Sequence, residues 1–116
     1  MIGHPLGVPG LTVGLLGGSF DPPHEGHVHI TKQAIKAFNL SRIWWLVSPG
    51  NPLKEREPQT ISKRFEASKK IMRHPSVTIT NIESTLRSKF TAETIYKLQR
   101  IYPGVKFVWL MGADNL

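Results

Sequence analysis

No cysteine occurs among the 116 residues, so disulfides and thiolate chemistry are both excluded. No apolar run approaches the roughly 18 residues that a membrane-spanning helix needs. The opening MIGHPLGVPG has neither a basic head nor a continuous apolar stretch, and it does not read as a secretory signal. These absences make the cytoplasm the expected location and give no reason to expect a membrane partner. Acidic residues are also few, eight Asp and Glu against fifteen Lys and Arg, for a net charge of +7. Such an excess favours an anionic partner: a nucleotide, a phosphorylated metabolite or a nucleic acid. Between Lys54 and Arg73 stand seven basic and three acidic residues, which fits either a solvated helix face or a phosphate-attracting rim. Only Phe65 interrupts that basic run with an aromatic ring, so nucleic acid is not the expected partner.

What is present fits one domain, or part of one, able to bury roughly 65% of its unfolded surface. Residues 1–11, rich in Gly and Pro, read as a flexible leader, and residues 12–116 as an α/β domain. Apolar runs at Thr12–Leu16, Ile43–Val47 and Val105–Met111, with an alternating run at Val77–Ile82, read as strands. Between them, helical spacing covers residues 25–39, Thr60–Met72 and Thr91–Tyr102. The order β-α-β-α-β-α-β, with strands apolar on both faces, predicts a Rossmann-like open parallel sheet with helices on both sides. Trp44, Trp45 and Trp109 lie inside strand runs and are expected to pack in the core rather than stack on a ligand.

In an open parallel sheet, ligands bind beyond the carboxyl ends of the strands. Two segments fall there: GGSFDPPHEGHVH, residues 17–29, and Gly112-Ala113-Asp114. Gly17 and Gly18 let backbone approach a ligand closely, and Asp21-Pro22-Pro23 makes a rigid turn. The helix then starts near His24 or Glu25, with unpaired N–H groups and a positive dipole end that suit phosphate. His24 and His27, three apart, face the same way on a first helical turn, and Gly26 keeps that surface open. Two imidazoles beside a phosphate donate hydrogen bonds and stabilise charge built up in phosphoryl or nucleotidyl transfer. The spacing of His24, His27 and His29 is not a structural zinc pattern, so no protein-held metal is expected. Neither the dinucleotide GxGxxG nor the GxxxxGK[ST] loop is present, so this is a phosphate site of another kind.

The stretch GGSFDPPHEGH, residues 17–27, resembles the GxFDPxHxGH signature of the nucleotidyltransferase superfamily that contains the HxGH adenylyltransferases. Within it, the chain is most similar to the bacterial nicotinate-nucleotide adenylyltransferases. Ser48-Pro-Gly-Asn-Pro-Leu-Lys54, Phe90-Thr91-Ala-Glu-Thr94 and Met111-Gly-Ala-Asp114-Asn-Leu carry that likeness, which runs from about residue 12 to Leu116.

The resemblance implies adenylyl transfer from ATP, with Mg²⁺, to nicotinate mononucleotide, giving nicotinate adenine dinucleotide and pyrophosphate in NAD biosynthesis. It implies His24 and His27 as the catalytic pair, and Gly17, Gly18, Gly112 and Asp114 with them around ATP. Ser19, Phe20, Thr91 and Thr94 would place the mononucleotide, while Lys54 and Arg64 would steer phosphate. Members of the family normally continue to an ISxTxxR-type motif that adds contacts to ATP phosphates. That motif is absent here, so the expectation is an amino-terminal part of the usual chain, truncated after the fourth strand. The alternatives are a non-catalytic nucleotide-binding fragment, or another HxGH adenylyl- or cytidylyltransferase. Apolar surface beside the final strand would need cover, and a homo-oligomer is one source of it.

Overall fold

A computed structural model describes residues 7–18, 20, 22–47, 61–82 and 91–112. Along the chain these form β1 (Thr12–Gly18), α1 (Glu25–Phe38), β2 (Arg42–Val47), α2 (Ile61–Ile71), β3 (Val77–Thr80), α3 (Thr91–Ile101) and β4 (Lys106–Gly112). The strands make one parallel sheet in the order β3-β2-β1-β4. The α/β order read from the sequence is therefore the observed one.

Side chains alternate across a strand, so each strand feeds two cores. Leu16, Ile43, Trp45, Val47 and Ile79 join Val28 and Ala34 of α1 and Phe65 of α2 on one face. Val13, Leu15, Trp44 and Leu46 join Leu98 of α3, with Tyr102 and Val105, on the other. Trp44 and Trp45, adjacent in sequence, are both almost wholly buried, one in each core. The core role expected of them is observed.

Several boundaries move for local reasons. β1 runs on through Gly17 and Gly18, which align with Leu46 and Val47 of β2. Gly17 suits a strand here because Trp109 lies over it; a Cβ would stand 2.9 Å from the indole Cη2. β3 stops at Thr80 rather than Ile82, because the Ile82 N–H donates to Thr80 Oγ1 at 3.1 Å and turns the chain. In β4 the pairing with β1 slips by one, Leu15 facing Trp109 but Leu16 facing Met111. Leu110 is the extra residue of this bulge. Of the leader expected at residues 1–11, residues 7–11 are described, and they are held. Gly10 N–H donates to Gly104 O at 2.8 Å, and Lys106 N–H donates to Leu11 O at 2.9 Å.

α1 ends on Asn39, whose φ of 50° and ψ of 47° are left-handed. That conformation costs most residues roughly 1–2 kcal/mol and costs Gly and Asn least. Asn39→Gly is therefore expected to match or exceed the parent in urea denaturation. Asn39→Val should lose about 1–2 kcal/mol.

Candidate active site

The strand order reverses at β1: β2 and β3 lie to one side, β4 to the other. In open parallel sheets such a reversal of strand order is where ligands bind, beyond the carboxyl ends of the strands. Gly17 of β1 and Gly112 of β4 are register partners at that edge. One glycine from each segment singled out from the sequence thus meets the other at the switch point. The β4 bulge at Leu110 lies two residues before Gly112, and bulges commonly re-aim a strand end beside a site.

The histidines stand at the start of α1. His24 is the N-cap, in extended geometry at φ −147° and ψ 177°. Its Nδ1 accepts the Gly26 N–H at 3.0 Å, and His27 Nδ1 accepts the His24 N–H at 2.9 Å. The two imidazoles close a capping box, a task usually given to Ser or Thr with Glu. The chemical consequence lies on the opposite side of each ring. A neutral imidazole whose Nδ1 accepts a backbone hydrogen bond carries its proton on Nε2. Both rings are therefore set as Nε2–H donors, with centroids 3.9 Å apart. His24 is exposed, whereas His27 is 2% exposed.

Gly26 is required by this arrangement. A Cβ on it would stand 2.7 Å from His24 Cε1 and 2.9 Å from Nδ1. The absent side chain makes room for the His24 ring to fold over the backbone.

Phe20 takes a left-handed φ of 51° and is wholly buried. Its ring stacks on Trp45 at 4.8 Å and 13°, and meets His27 at 4.7 Å. Phe20 was expected to contact the mononucleotide, but its side chain supports the imidazole from inside.

Other expected site residues are placed unevenly. Thr94 is enclosed in α3, and Thr91 opens that helix. In a parallel sheet, α3 begins at the same carboxyl edge as α1. Arg64 is 1% exposed, so it does not belong to the solvated face of α2. Its α2 neighbours Lys63, Lys69 and Lys70 are exposed and supply the solvated face. Ser19, Lys54 and Asp114 lie outside the described residues, as does Asp21. Among the described residues, no three His, Cys, Asp or Glu side chains gather where they would hold a metal ion. No helix among them is long and apolar enough to cross a membrane.

Sequence reasoning overlooked Thr31. Its hydroxyl donates to His27 O at 2.8 Å and accepts from Trp45 Nε1 at 2.8 Å, with no exposure at all. A Thr four residues after His27 on one helix is the available signal.

Residues 15–116 match the model of the cytidylyltransferase-like family. The chain belongs to that family. Among cytidylyltransferase-like relatives is a probable nicotinate-nucleotide adenylyltransferase of Cereibacter sphaeroides, 62% identical over 106 residues. That alignment covers 91% of this chain and 56% of the relative. A probable nicotinate-nucleotide adenylyltransferase of Ruegeria pomeroyi is 59% identical over 114 residues, covering 98% of this chain and 54% of its own. The chain thus spans about half the length of these relatives. In three dimensions the fold is similar to a Plasmodium falciparum nicotinic acid mononucleotide adenylyltransferase complexed with NaAD. The TM-score is 0.73 at 15% identity, over 85% of this chain and 50% of that one.

Proposed function

We propose that this chain carries the nucleotide-binding part of an adenylyltransferase that joins ATP to nicotinate mononucleotide. The observation that carries the reading is the histidine capping box at the β1–β4 switch point. ATP enters as its Mg²⁺ complex. A phosphate oxygen of the mononucleotide forms a bond to the α-phosphorus, and the bond to the β-phosphate oxygen breaks. Pyrophosphate leaves, and the other product is nicotinate adenine dinucleotide. The attacking phosphate is already ionised, so no general base is needed.

Catalysis in this reading is positioning and charge stabilisation. Nε2–H of His24 and of His27 donate to the oxygens on which charge builds, and backbone N–H groups at the start of α1 add a fixed positive end. Both rings are fixed before substrate arrives, so little reorganisation is left for the reaction itself. Gly18 and Gly112 admit the nucleotide closely, with Asp114 on a ribose, whereas Gly17 leaves room for the Trp109 ring. Thr91 and Thr94 at the head of α3, with Ser19, set the mononucleotide; Lys54 supplies charge at the rim. The names of the relatives support the choice of nicotinate mononucleotide as acceptor.

The test is pyrophosphate release from ATP and Mg²⁺, with nicotinate mononucleotide, nicotinamide mononucleotide and phosphopantetheine offered separately. Release only with nicotinate mononucleotide is the expected result. A preference for phosphopantetheine would replace the acceptor and keep the superfamily. Silence with all three, combined with calorimetric binding of ATP, would make the chain a nucleotide-binding fragment.

A further inference from the structure

We propose that Thr31 and Trp45 are positioning residues for His27, forming a buried relay that ties the imidazole on α1 to the central strand β2. Three contacts carry the inference. Trp45 Nε1–H donates to Thr31 Oγ1, and Thr31 Oγ1–H donates to His27 O, both at 2.8 Å. Phe20 stacks on the same indole at 4.8 Å and touches the His27 ring at 4.7 Å. The indole also meets His27 edge-on, with centroids 5.9 Å apart.

The arrangement exceeds what packing requires. A Thr hydroxyl in a helix commonly bonds back to the carbonyl four residues earlier, with little consequence beyond a slight bend. Here that hydroxyl is also an acceptor for a strand side chain, so the helix cannot turn about its axis without breaking a buried bond. Both groups are shielded from water, Trp45 and Thr31 each being 0% exposed, and water is not at hand to replace a lost partner. Rotation of α1 would carry His27 off the Phe20 ring. It would also pull His27 Nδ1 from the His24 N–H, releasing the ring to exchange its proton between nitrogens. A donor that must meet an anion works only while its orientation holds. The functional part of this inference rests on His27 acting as a phosphate donor; the structural part does not.

Thr31→Val, Thr31→Ser and Trp45→Phe separate the relay from mere packing. Val removes both hydrogen bonds at nearly constant shape, Ser restores the hydroxyl, and Phe keeps an aromatic ring without the N–H. The first readout is the ¹⁵N shifts of the His27 ring in ligand-free protein. The parent and Thr31→Ser should show widely separated nitrogens with the proton on Nε2, and Thr31→Val and Trp45→Phe should show them drawn together by averaging. The second readout is MgATP affinity by calorimetry, expected to fall about two- to tenfold in Thr31→Val and Trp45→Phe and to recover in Thr31→Ser. Unchanged His27 nitrogens in a folded Thr31→Val or Trp45→Phe would overturn the proposal. So would an unchanged affinity in both, where the parent binds. A parent that binds no MgATP defeats the phosphate-donor reading alone, and the ring shifts then decide whether Thr31 and Trp45 position His27. Should Thr31→Val not fold, Trp45→Phe decides by the same criteria.

Discussion

Trp44→Ala is expected to lose about 3–5 kcal/mol, the usual range for removing a buried Trp from a core. The side chain is 1% exposed and lies edge-on to Tyr102 at 5.2 Å and to Phe107 at 5.5 Å. Tyr102 and Phe107 also meet each other at 6.2 Å, so the three rings form one cluster under α3. Neither neighbour can fill the vacated volume without losing its own contacts, which places the cost at the high end. Domains of this size are held together by only about 5–15 kcal/mol, so the loss is a large share of the whole. It corresponds to a fall in thermal midpoint of roughly ten degrees or more, read by circular dichroism. Phe38→Ala is the control. Phe38 is 60% exposed, and its removal should change stability by about 0.5 kcal/mol or less. Equal effects from the two would show that the core beneath α3 is not packed as described.

The second large effect concerns chemistry rather than folding. His27→Ala and Gly26→Ala are each expected to lower pyrophosphate release by about 10²–10³-fold, the cost of losing one preorganised donor to developing charge. His27→Ala removes the donor outright. Gly26→Ala leaves both histidines in the sequence but puts a methyl group where the His24 ring lies, 2.7 Å from Cε1. The ring must swing away, giving up its cap on the Gly26 N–H together with its aim. The stability change should nonetheless be small. A lost cap costs about 1 kcal/mol, and replacing Gly by Ala within a helix returns a similar amount. A folded, inactive Gly26→Ala therefore separates ring placement from fold integrity. The double variant should lose much less than the product of the two single losses, since the rings share one capping box. Full activity in Gly26→Ala would remove His24 from the mechanism.

Much of this was legible before any coordinates. Ile43, Trp45 and Val47 against Trp44 and Leu46 is a run apolar at every position, and only a strand buried on both faces uses such a run fully. His24 and His27 follow from local rules, because cap position and i, i+3 spacing depend on residues close in sequence. The parts not legible depend on distant residues. The slip at Leu110 arises from how β4 meets β1, about ninety residues away in sequence. Phe20 reads as part of a ligand loop, and only its left-handed backbone turns the ring inward beneath His27. Arg64 sits in a run of cations, where charge count alone suggests solvent, yet its position on α2 buries it. Charge counts describe a segment, whereas burial depends on which side of the helix meets the sheet.

The strand order has a bearing on how the chain acquires its shape. β1 is made long before one of its two neighbours, β4, which begins only at Lys106. On a ribosome, β1 can pair with β2 early, but its other edge stays open until β4 has emerged. Parallel pairing across such long separations is slow, and an open, apolar strand edge invites association with other nascent chains. Burial of the β1 edge and the meeting of Gly17 with Gly112 are therefore the same late event. A nascent chain stalled before Lys106 has the histidines but lacks the strand whose Gly112 is the register partner of Gly17.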